Sequence, residues 1–167
     1  SADMVYGDVR LMASLSDMPA GTRYAGPMSM TELLSRNICQ QAVFYRRGLF
    51  TALGNFDPRY RICADWDFNL RVAFRRPIQW IDLVVADYAA TGMSARGGDK
   101  AFDEDLPVRL RKELLQFPQR RELWPLHRYL LRHVDTLRRR GHWREAFRQL
   151  AAYLNLSAQR LLAMRRP

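Results

Sequence analysis

The chain has 167 residues, of which 48% are hydrophobic and 26% are charged, and it carries a net charge of +10 at neutral pH. This length allows one domain with a substantial core, or one domain plus a helical extension, and excludes two full enzyme domains. No apolar run approaches the roughly 20 residues that span a bilayer, and the first residues do not read as a signal peptide. We therefore expect a soluble, cytoplasmic protein.

The positive charge is concentrated at the C-terminal end. Residues 1–106 contain 12 Lys and Arg against 13 Asp and Glu, a net charge of −1, whereas residues 107–167 contain 15 against 4, a net charge of +11. Such asymmetry indicates either two modules or one module with a basic arm that faces an anionic partner.

Cysteine and histidine are too sparse for a zinc site. Cys39 and Cys63 do not form a Cys-x-x-Cys pair, and His127, His133 and His142 lack zinc-site spacing. We expect two free thiols in a reducing compartment, although the two cysteines could also pair with each other.

The first elements alternate between strand and helix. Residues 3–12 are rich in β-forming side chains and predict a strand, and the glycines, prolines and serines of 13–29 predict a loop. A short helix is expected from Thr31 to Leu34, a strand from Gln41 to Tyr45 and a second short helix from Arg46 to Leu53.

Turn residues separate the next elements. Gly54 suits the left-handed residue that ends a helix. Apolar spacing predicts an amphipathic helix from Asp65 to Arg75, which Pro77 ends. The apolar run in 78–90 predicts one or two buried strands, and the glycines of 91–100 predict a flexible loop.

Beyond this loop the pattern becomes purely helical. Leucines recur at spacings of three and four over 123–137, and Trp143, Phe147, Leu150 and Leu154 repeat the pattern after a turn at Gly141. With residues 105–117, about three helices result. The fold class is therefore α/β, with an α/β layer in residues 1–98 and a basic α-helical extension in 99–167.

Two acids, Asp65 and Asp67, flank Trp66 where a loop leads into a predicted helix, a place where active-site groups are often mounted. Residue type alone favours a structural interpretation, with Asp65 as an N-cap and Asp67 as a first-turn acid. Arg71 follows Asp67 by four residues, the spacing of an ion pair along a helix.

Several other side chains have simple structural interpretations. Trp80, Phe44, Phe50 and Phe68 are expected in the core. Asp8, near the end of the first strand, is expected to be a turn residue that hydrogen-bonds its own backbone.

Five short segments occur in an order that matches a known family. They are VYGD at 5–8, ICQQAVFYRR at 38–47, LGNFD at 53–57, ADWDFNLR at 64–71 and YAATGMS at 88–94. Over roughly residues 3–98 the chain resembles the second, acceptor-side half of bacterial family 2 glycosyltransferases. The resemblance implies a partial GT-A sheet.

The resemblance also implies a reaction and a missing partner segment. Relatives of this kind are inverting enzymes that move a sugar from a nucleotide-sugar donor to a saccharide or lipid-linked acceptor in cell-envelope or exopolysaccharide synthesis. Their first half carries an Asp-x-Asp loop that holds Mg or Mn on the donor diphosphate. Those ligands would lie outside this chain, and no cofactor is expected in the chain itself.

The order of the segments assigns the two acids to the acceptor side rather than to the metal. The resemblance implies that Asp65 is the catalytic base and that Trp66, Asp67, Gln40 and Gln41 contact the acceptor. For Asp67 a structural role is equally expected.

A second set of residues, Tyr88, Gly92 and Ser94, matches a loop beside the donor diphosphate or the acceptor. A plain glycine-permitted turn explains the same residues equally well. Two positions depart from the family pattern. Ala64 replaces the usual glutamate before the base, and Gln40 replaces a frequent histidine, which leaves hydrogen bonding but removes titration.

A non-enzymatic alternative rests on the basic extension. Residues 107–167 could belong to an adaptor that binds an anionic membrane, an acidic protein or RNA, although no nucleic-acid-binding motif occurs. In the enzyme, the same arginines could rest on anionic headgroups, peripheral to the inner membrane. Exposed strand edges would also permit a homodimer.

Overall fold

The computed structural model describes residues 2–15, 17–89, 91–92, 98–116 and 125–164. Two compact units are present, Ser1–Phe102 and Asp103–Pro167. The first is a mixed α/β layer and the second is helical, which confirms the predicted fold class. The predicted domain boundary after residue 98 stays a prediction.

The first unit follows the predicted order of strands and helices. Its elements are β1 (Met4–Leu11), β2 (Arg23–Tyr24), α1 (Met30–Leu33), a 3₁₀ turn (Gln40–Ala42), β3 (Val43–Tyr45), α2 (Gly48–Leu53), α3 (Ala64–Ala73) and β4 (Ile78–Tyr88). Two local predictions were wrong. The predicted loop over 13–29 contains β2, and the predicted strand over 41–45 begins with the 3₁₀ turn.

Strand β1 is the centre of the sheet. One of its edges pairs in parallel with β4, and the other pairs antiparallel with β3 along its first half and with β2 near its end. Every other described strand therefore depends on β1 for its backbone hydrogen bonds. Six of its eight residues are buried, and only Val5 and Arg10 are not.

The prediction that residues 78–90 are buried strands was wrong about burial. They form one strand, β4, in which no residue is buried, and Leu83 is 57% exposed. Within the described residues β4 pairs only with β1, so its outer edge is uncovered. Strand β4 is also bulged relative to β1. Between the pairs Tyr6–Trp80 and Val9–Ala86, β1 advances three residues and β4 advances six.

An aromatic cluster fastens α3 to its neighbours. Phe68 of α3 is fully buried and stacks on Phe50 of α2, with ring centroids 4.7 Å apart, and Tyr45 and Phe56 complete the cluster edge-on. This confirms the predicted core role of Phe68. The prediction for Phe44 was wrong, because alternation along β3 turns its side chain outward, and it is 57% exposed.

Asp8 is a buried strand residue rather than a turn residue. It is 3% exposed and accepts hydrogen bonds from the Arg23 guanidinium at 2.7 Å, the Gly26 backbone N–H at 2.9 Å and the Trp80 indole N–H at 3.0 Å. Burial raises the pKa of this carboxyl, but the three donors outweigh burial and leave the pKa below its ordinary value. The prediction for Asp8 was therefore wrong.

The second unit is built from helices, as predicted. Helix α4 spans Lys100–Gln116 and begins in the first unit, α5 spans Pro125–Arg139 and α6 spans Trp143–Met164. Gly141 has a φ of 78° and makes the turn between α5 and α6. None of the described helices combines the length and the apolar character that crossing a bilayer requires.

Gly7 lies on β1 at the point where its register with β4 shifts. A Cβ at this position would lie 2.6 Å from the Leu83 carbonyl oxygen and 2.6 Å from Val85 Cγ2. Because one obstacle is backbone, a rotamer change cannot relieve the clash. The extra residues of β4 are therefore compatible only with glycine here.

We predict that Gly7→Ala lowers the free energy of unfolding by about 3 kcal/mol, through overpacking between the two strands. Urea denaturation followed by circular dichroism measures the loss. The matched control is Gly48→Ala, where an added Cβ has no neighbour within 4 Å. An equal change in both variants would contradict the proposed clash.

Candidate functional site

A cleft of about 350 Å³ lies in the first unit and brings together five of the sequence-predicted site residues. Those five are Gln40, Gln41, Asp65, Trp66 and Tyr88. The remaining lining residues come from the loop before β2, from β2, from the segment before the 3₁₀ turn and from the loop before α3: Leu15, Tyr24, Asn37, Ile38, Cys39, Ile62 and Cys63.

Asp65 stands in the first turn of α3, at the wall of the cleft. The residue that precedes the helix is Cys63, so the alternative in which Asp65 is the N-cap was wrong. The Asp65 carboxylate accepts the backbone N–H of Trp66 at 2.7 Å. A partly buried carboxylate at the positive end of a helix is thus presented to the cleft.

The environment of Asp65 strengthens it as a base. Burial raises the pKa of this carboxyl, and hydrogen bonds from the backbone and from the Asn37 side chain lower it by less. The net pKa lies above the ordinary value of 3.8. A raised pKa increases the proton affinity of the carboxylate, which is what a general base needs.

A chain of amide hydrogen bonds holds the orientation of Asp65. The Tyr45 hydroxyl donates to Asn69 Oδ1 at 2.7 Å, and Asn69 Nδ2 donates to Asn37 Oδ1 at 3.0 Å. The Asn37 side chain then donates to Asp65. Asn69 is fully buried, so the chain connects the carboxylate to the core of the unit.

Trp66 and the two glutamines supply the binding surface beside the carboxylate. The Trp66 indole N–H donates to the Leu33 carbonyl at 2.7 Å, and its ring lies 5.1 Å from that of Phe102. This anchoring fixes the plane of the indole. The Cys39 thiol donates to the Gln41 side-chain oxygen at 2.8 Å, and the Gln40 side-chain oxygen lies 3.3 Å from the Tyr45 hydroxyl.

Asp67 does not line the cleft. It is 1% exposed and pairs with Arg71 at 2.9 Å, as the four-residue spacing predicts. The Arg71 guanidinium also donates to the backbone carbonyls of Leu53 and Asn55. This arrangement ties the start of α3 to the loop after α2, so the placement favours the structural alternative for Asp67 over acceptor binding.

The predicted loop after β4 is only partly within the described structure. Tyr88 is the last residue of β4 and lines the cleft, with its backbone carbonyl accepting the N–H of Met12 at 2.9 Å. Gly92 is exposed and is absent from the cleft lining. Ser94 lies outside the described residues.

The sequence analysis missed Asn37 and Tyr24. The Tyr24 hydroxyl donates to the backbone carbonyl of Asn37, which fixes the segment that carries the amide. The sequence did offer one indication of Asn37, because this residue directly precedes the ICQQ segment that contains two predicted site residues. Cys39 and Cys63 also line the cleft and are both free thiols, as predicted.

The residues of the cleft do not fit a metal ion. Within the described ranges no group of three or more His, Cys, Asp or Glu side chains is placed to hold one. Asp65 is the cleft's single carboxylate among the lining residues. The cleft residues are therefore not assigned as metal ligands.

Asp99 fastens the loop that leads into α3. It is 7% exposed, and one carboxylate oxygen accepts the backbone N–H groups of Ile62 at 2.8 Å and Cys63 at 3.2 Å. The other oxygen lies 3.4 Å from the backbone N–H of Phe102 in α4. Burial raises the pKa of Asp99, but these amide donors outweigh burial and lower it overall.

The chain is similar to glycosyltransferases. It is 42% identical over 115 residues to a PGL/p-HBAD biosynthesis glycosyltransferase of Mycobacterium bovis (strain BCG / Pasteur 1173P2) and, equally, to one of Mycobacterium tuberculosis (strain ATCC 25177 / H37Ra). The matched region covers 66% of this chain and 42% of each relative. The chain thus spans about two-fifths of the length of these relatives. No protein-family model and no solved structure matches it.

We predict that Asp99→Ala lowers the free energy of unfolding by about 1–3 kcal/mol at neutral pH, because buried amide donors lose their acceptor. Since the folded-state pKa of Asp99 is depressed, its contribution is present above the unfolded-state pKa and is lost as the pH falls through the folded-state pKa. Urea denaturation at neutral and acidic pH checks both points. The exposed Asp17→Ala serves as the control.

Proposed function

We propose that this chain is the acceptor-side part of an inverting glycosyltransferase of family 2, with a partial GT-A fold. The single observation that carries the proposal is the cleft in which the raised-pKa carboxylate of Asp65 stands beside Trp66 and two glutamine amides. The similarity to mycobacterial glycosyltransferases supports the class of reaction. The proposed acceptor is a saccharide or a lipid-linked saccharide of the cell envelope.

In the proposed reaction, Asp65 removes the proton from the acceptor hydroxyl as that oxygen attacks the anomeric carbon of the donor. The bond from that carbon to the diphosphate breaks, and the nucleoside diphosphate leaves with the electron pair. A carboxylate within hydrogen-bond reach of the hydroxyl contributes about 10²–10⁴ in rate. The indole of Trp66 provides an apolar platform for a sugar ring, and the amides of Gln40 and Gln41 bond its hydroxyls.

The donor site is proposed to lie in the part of the relatives' length that this chain does not span. A divalent metal, Mg or Mn, would be held there and would neutralise charge on the leaving diphosphate. Tyr88, at the edge of the cleft, is the described residue proposed to face the donor or the acceptor. Gly92 and Ser94 keep the same proposed role in the loop that follows.

We predict that Asp65→Asn in the full-length protein lowers sugar transfer by about 10²–10⁴-fold, because the amide cannot accept the acceptor proton. Transfer of label from a panel of nucleotide sugars to extracted acceptor lipids and saccharides measures the loss. Donor binding, followed by calorimetry, should be unchanged, and Asp17→Asn is the exposed-acid control. Transfer at the wild-type rate by Asp65→Asn would remove the base role.

We predict that Asn37→Ala raises the pKa of Asp65, because the mutation removes a hydrogen bond that stabilises the charged carboxylate. Carbon-13 NMR titration of the Asp65 carboxyl in this chain measures the shift without any activity assay. In the full-length protein, the acid limb of kcat/KM should move to higher pH. Asn37→Ser retains a hydrogen-bond donor, so it should raise the pKa of Asp65 by less than Asn37→Ala does.

The control for this prediction is Asn55→Ala, at an exposed asparagine that is not among the cleft residues. A purely structural role for Asn37 would lower the stability of the variant and leave the Asp65 titration where it is. That pattern would contradict the positioning role.

A further inference from the structure

Helix α6 carries an apolar stripe that the described residues of the second unit leave uncovered. Trp143, Phe147, Leu150, Leu154 and Leu161 are separated by three, four or seven residues, which places them on one face of a helix. Their side chains are exposed, from 36% at Leu150 to 75% at Phe147. This face of α6 is therefore not packed against the described residues of α5.

The contrast with α5 shows that this stripe is a separate surface. On α5 the periodic leucines Leu126 and Leu130 are buried. On α6 the residues that turn inward are different: Ala146 is 5% exposed, and Tyr153 lies against His127 of α5 with ring centroids 5.5 Å apart. Helix α6 therefore packs on α5 through one side and keeps its most apolar side outward.

Basic residues border the stripe. Arg144 and Arg148 are exposed and, at the helical period of about 3.6 residues, lie on the side of the stripe away from Ala146 and Tyr153. Arg148 also pairs with Glu145. Two more exposed arginines precede α6: Arg139, the last residue of α5, which pairs with Asp135, and Arg140 in the turn that follows. Residues 107–167 as a whole carry 15 Lys and Arg against 4 Asp and Glu. Apolar and cationic groups are thus combined on one surface.

We propose that this surface docks on an anionic phospholipid bilayer, with α6 lying parallel to the membrane plane. Trp143, Phe147 and Leu154 would enter the boundary between headgroups and acyl chains, and Arg144 and Arg148 would contact lipid phosphates. An aromatic and leucine face bordered by arginines is the composition of an interfacial helix. The attraction of the basic residues to anionic lipid adds to the apolar burial.

The same observations disfavour the other occupants of this face. A nucleic acid would engage the arginines but would leave the apolar stripe in water. A second copy of the chain would cover the stripe, but it would bring two segments of +11 together. An anionic bilayer would cover the apolar stripe and would also pair with the arginines that border it.

The test is co-sedimentation of the full 167-residue chain with two kinds of vesicle, phosphatidylcholine alone and phosphatidylcholine with phosphatidylglycerol. We expect binding to the anionic vesicles that weakens with salt, and Leu154→Glu should weaken it by about tenfold or more. Arg144→Gln should weaken it by about fivefold, the value for one basic residue near the surface. The matched control is Leu83→Glu on β4, since Leu83 and Leu154 are 57% and 58% exposed.

Each remaining outcome would overturn the proposal. No sedimentation of the wild-type chain with anionic vesicles would do so, as would an equal loss in Leu83→Glu and Leu154→Glu. Dimerisation through the stripe, detected by analytical ultracentrifugation and removed by Phe147→Glu, would assign the face to a second copy. Tighter binding to RNA than to vesicles would assign it to nucleic acid. Circular dichroism of each variant confirms that the helices are retained.

Discussion

The stacking of Phe68 on Phe50 holds the candidate site in place. These rings lie 4.7 Å apart and 9° from parallel, and they join α3 to α2, while Tyr45 contacts Phe68 edge-on from β3. The helix that is fastened in this way carries Asp65 and Trp66 in its first turn. Because an offset or stacked aromatic pair resists rotation as well as separation, the orientation of the carboxylate is set by the core rather than by a loop.

The same core buries polar side chains, and two of them, Asp67 and Asn69, belong to the helix that carries the site. Asn69 is fully buried between Tyr45 and Asn37, and Asp67 is buried beside Arg71. A buried amide or carboxylate is costly unless it is hydrogen-bonded, and each of these contacts supplies such a partner. Tyr45 therefore has two roles, one in the aromatic cluster and one at the start of the hydrogen-bond chain that ends at Asp65.

Local pattern was sufficient to predict most of the elements and the region of the site. The β-forming composition of β1, the stop at Gly54 and the leucine spacing of α5 are properties of neighbouring residues, and the elements that they predict are present in the structure. Contacts between distant residues were not predictable in this way. Asp99 reaches Ile62 across 37 positions, and Asn69 reaches Asn37 across 32. The residues that neighbour Asp99 and Asn69 in the sequence do not indicate these distant partners.

Burial was the other feature that pattern could not supply. The run Ile81, Leu83, Val84 and Val85 has the composition of a buried strand, yet whether its side chains are buried depends on what packs on the two faces of the sheet. For Phe44 the composition was equally apolar, and the alternation of a three-residue strand decided its direction. Exposure is thus a property of the assembled sheet, whereas strand formation is a property of the segment.

The exposed apolar side chains of β4 and of α6 lie among different charges. On β4, Leu83 is next to Asp82, which pairs with Arg23, and the same strand carries Asp87, which pairs with Arg10. These arginines are already neutralised by carboxylates, so this surface has no excess of cations to attract an anionic bilayer. On α6 Arg148 also pairs with a carboxylate, that of Glu145, but the arginines of the helix outnumber its single acid and border an aromatic stripe. Leu83 and Leu154 are equally exposed, but only the surface around Leu154 has the excess of cations that attracts an anionic bilayer.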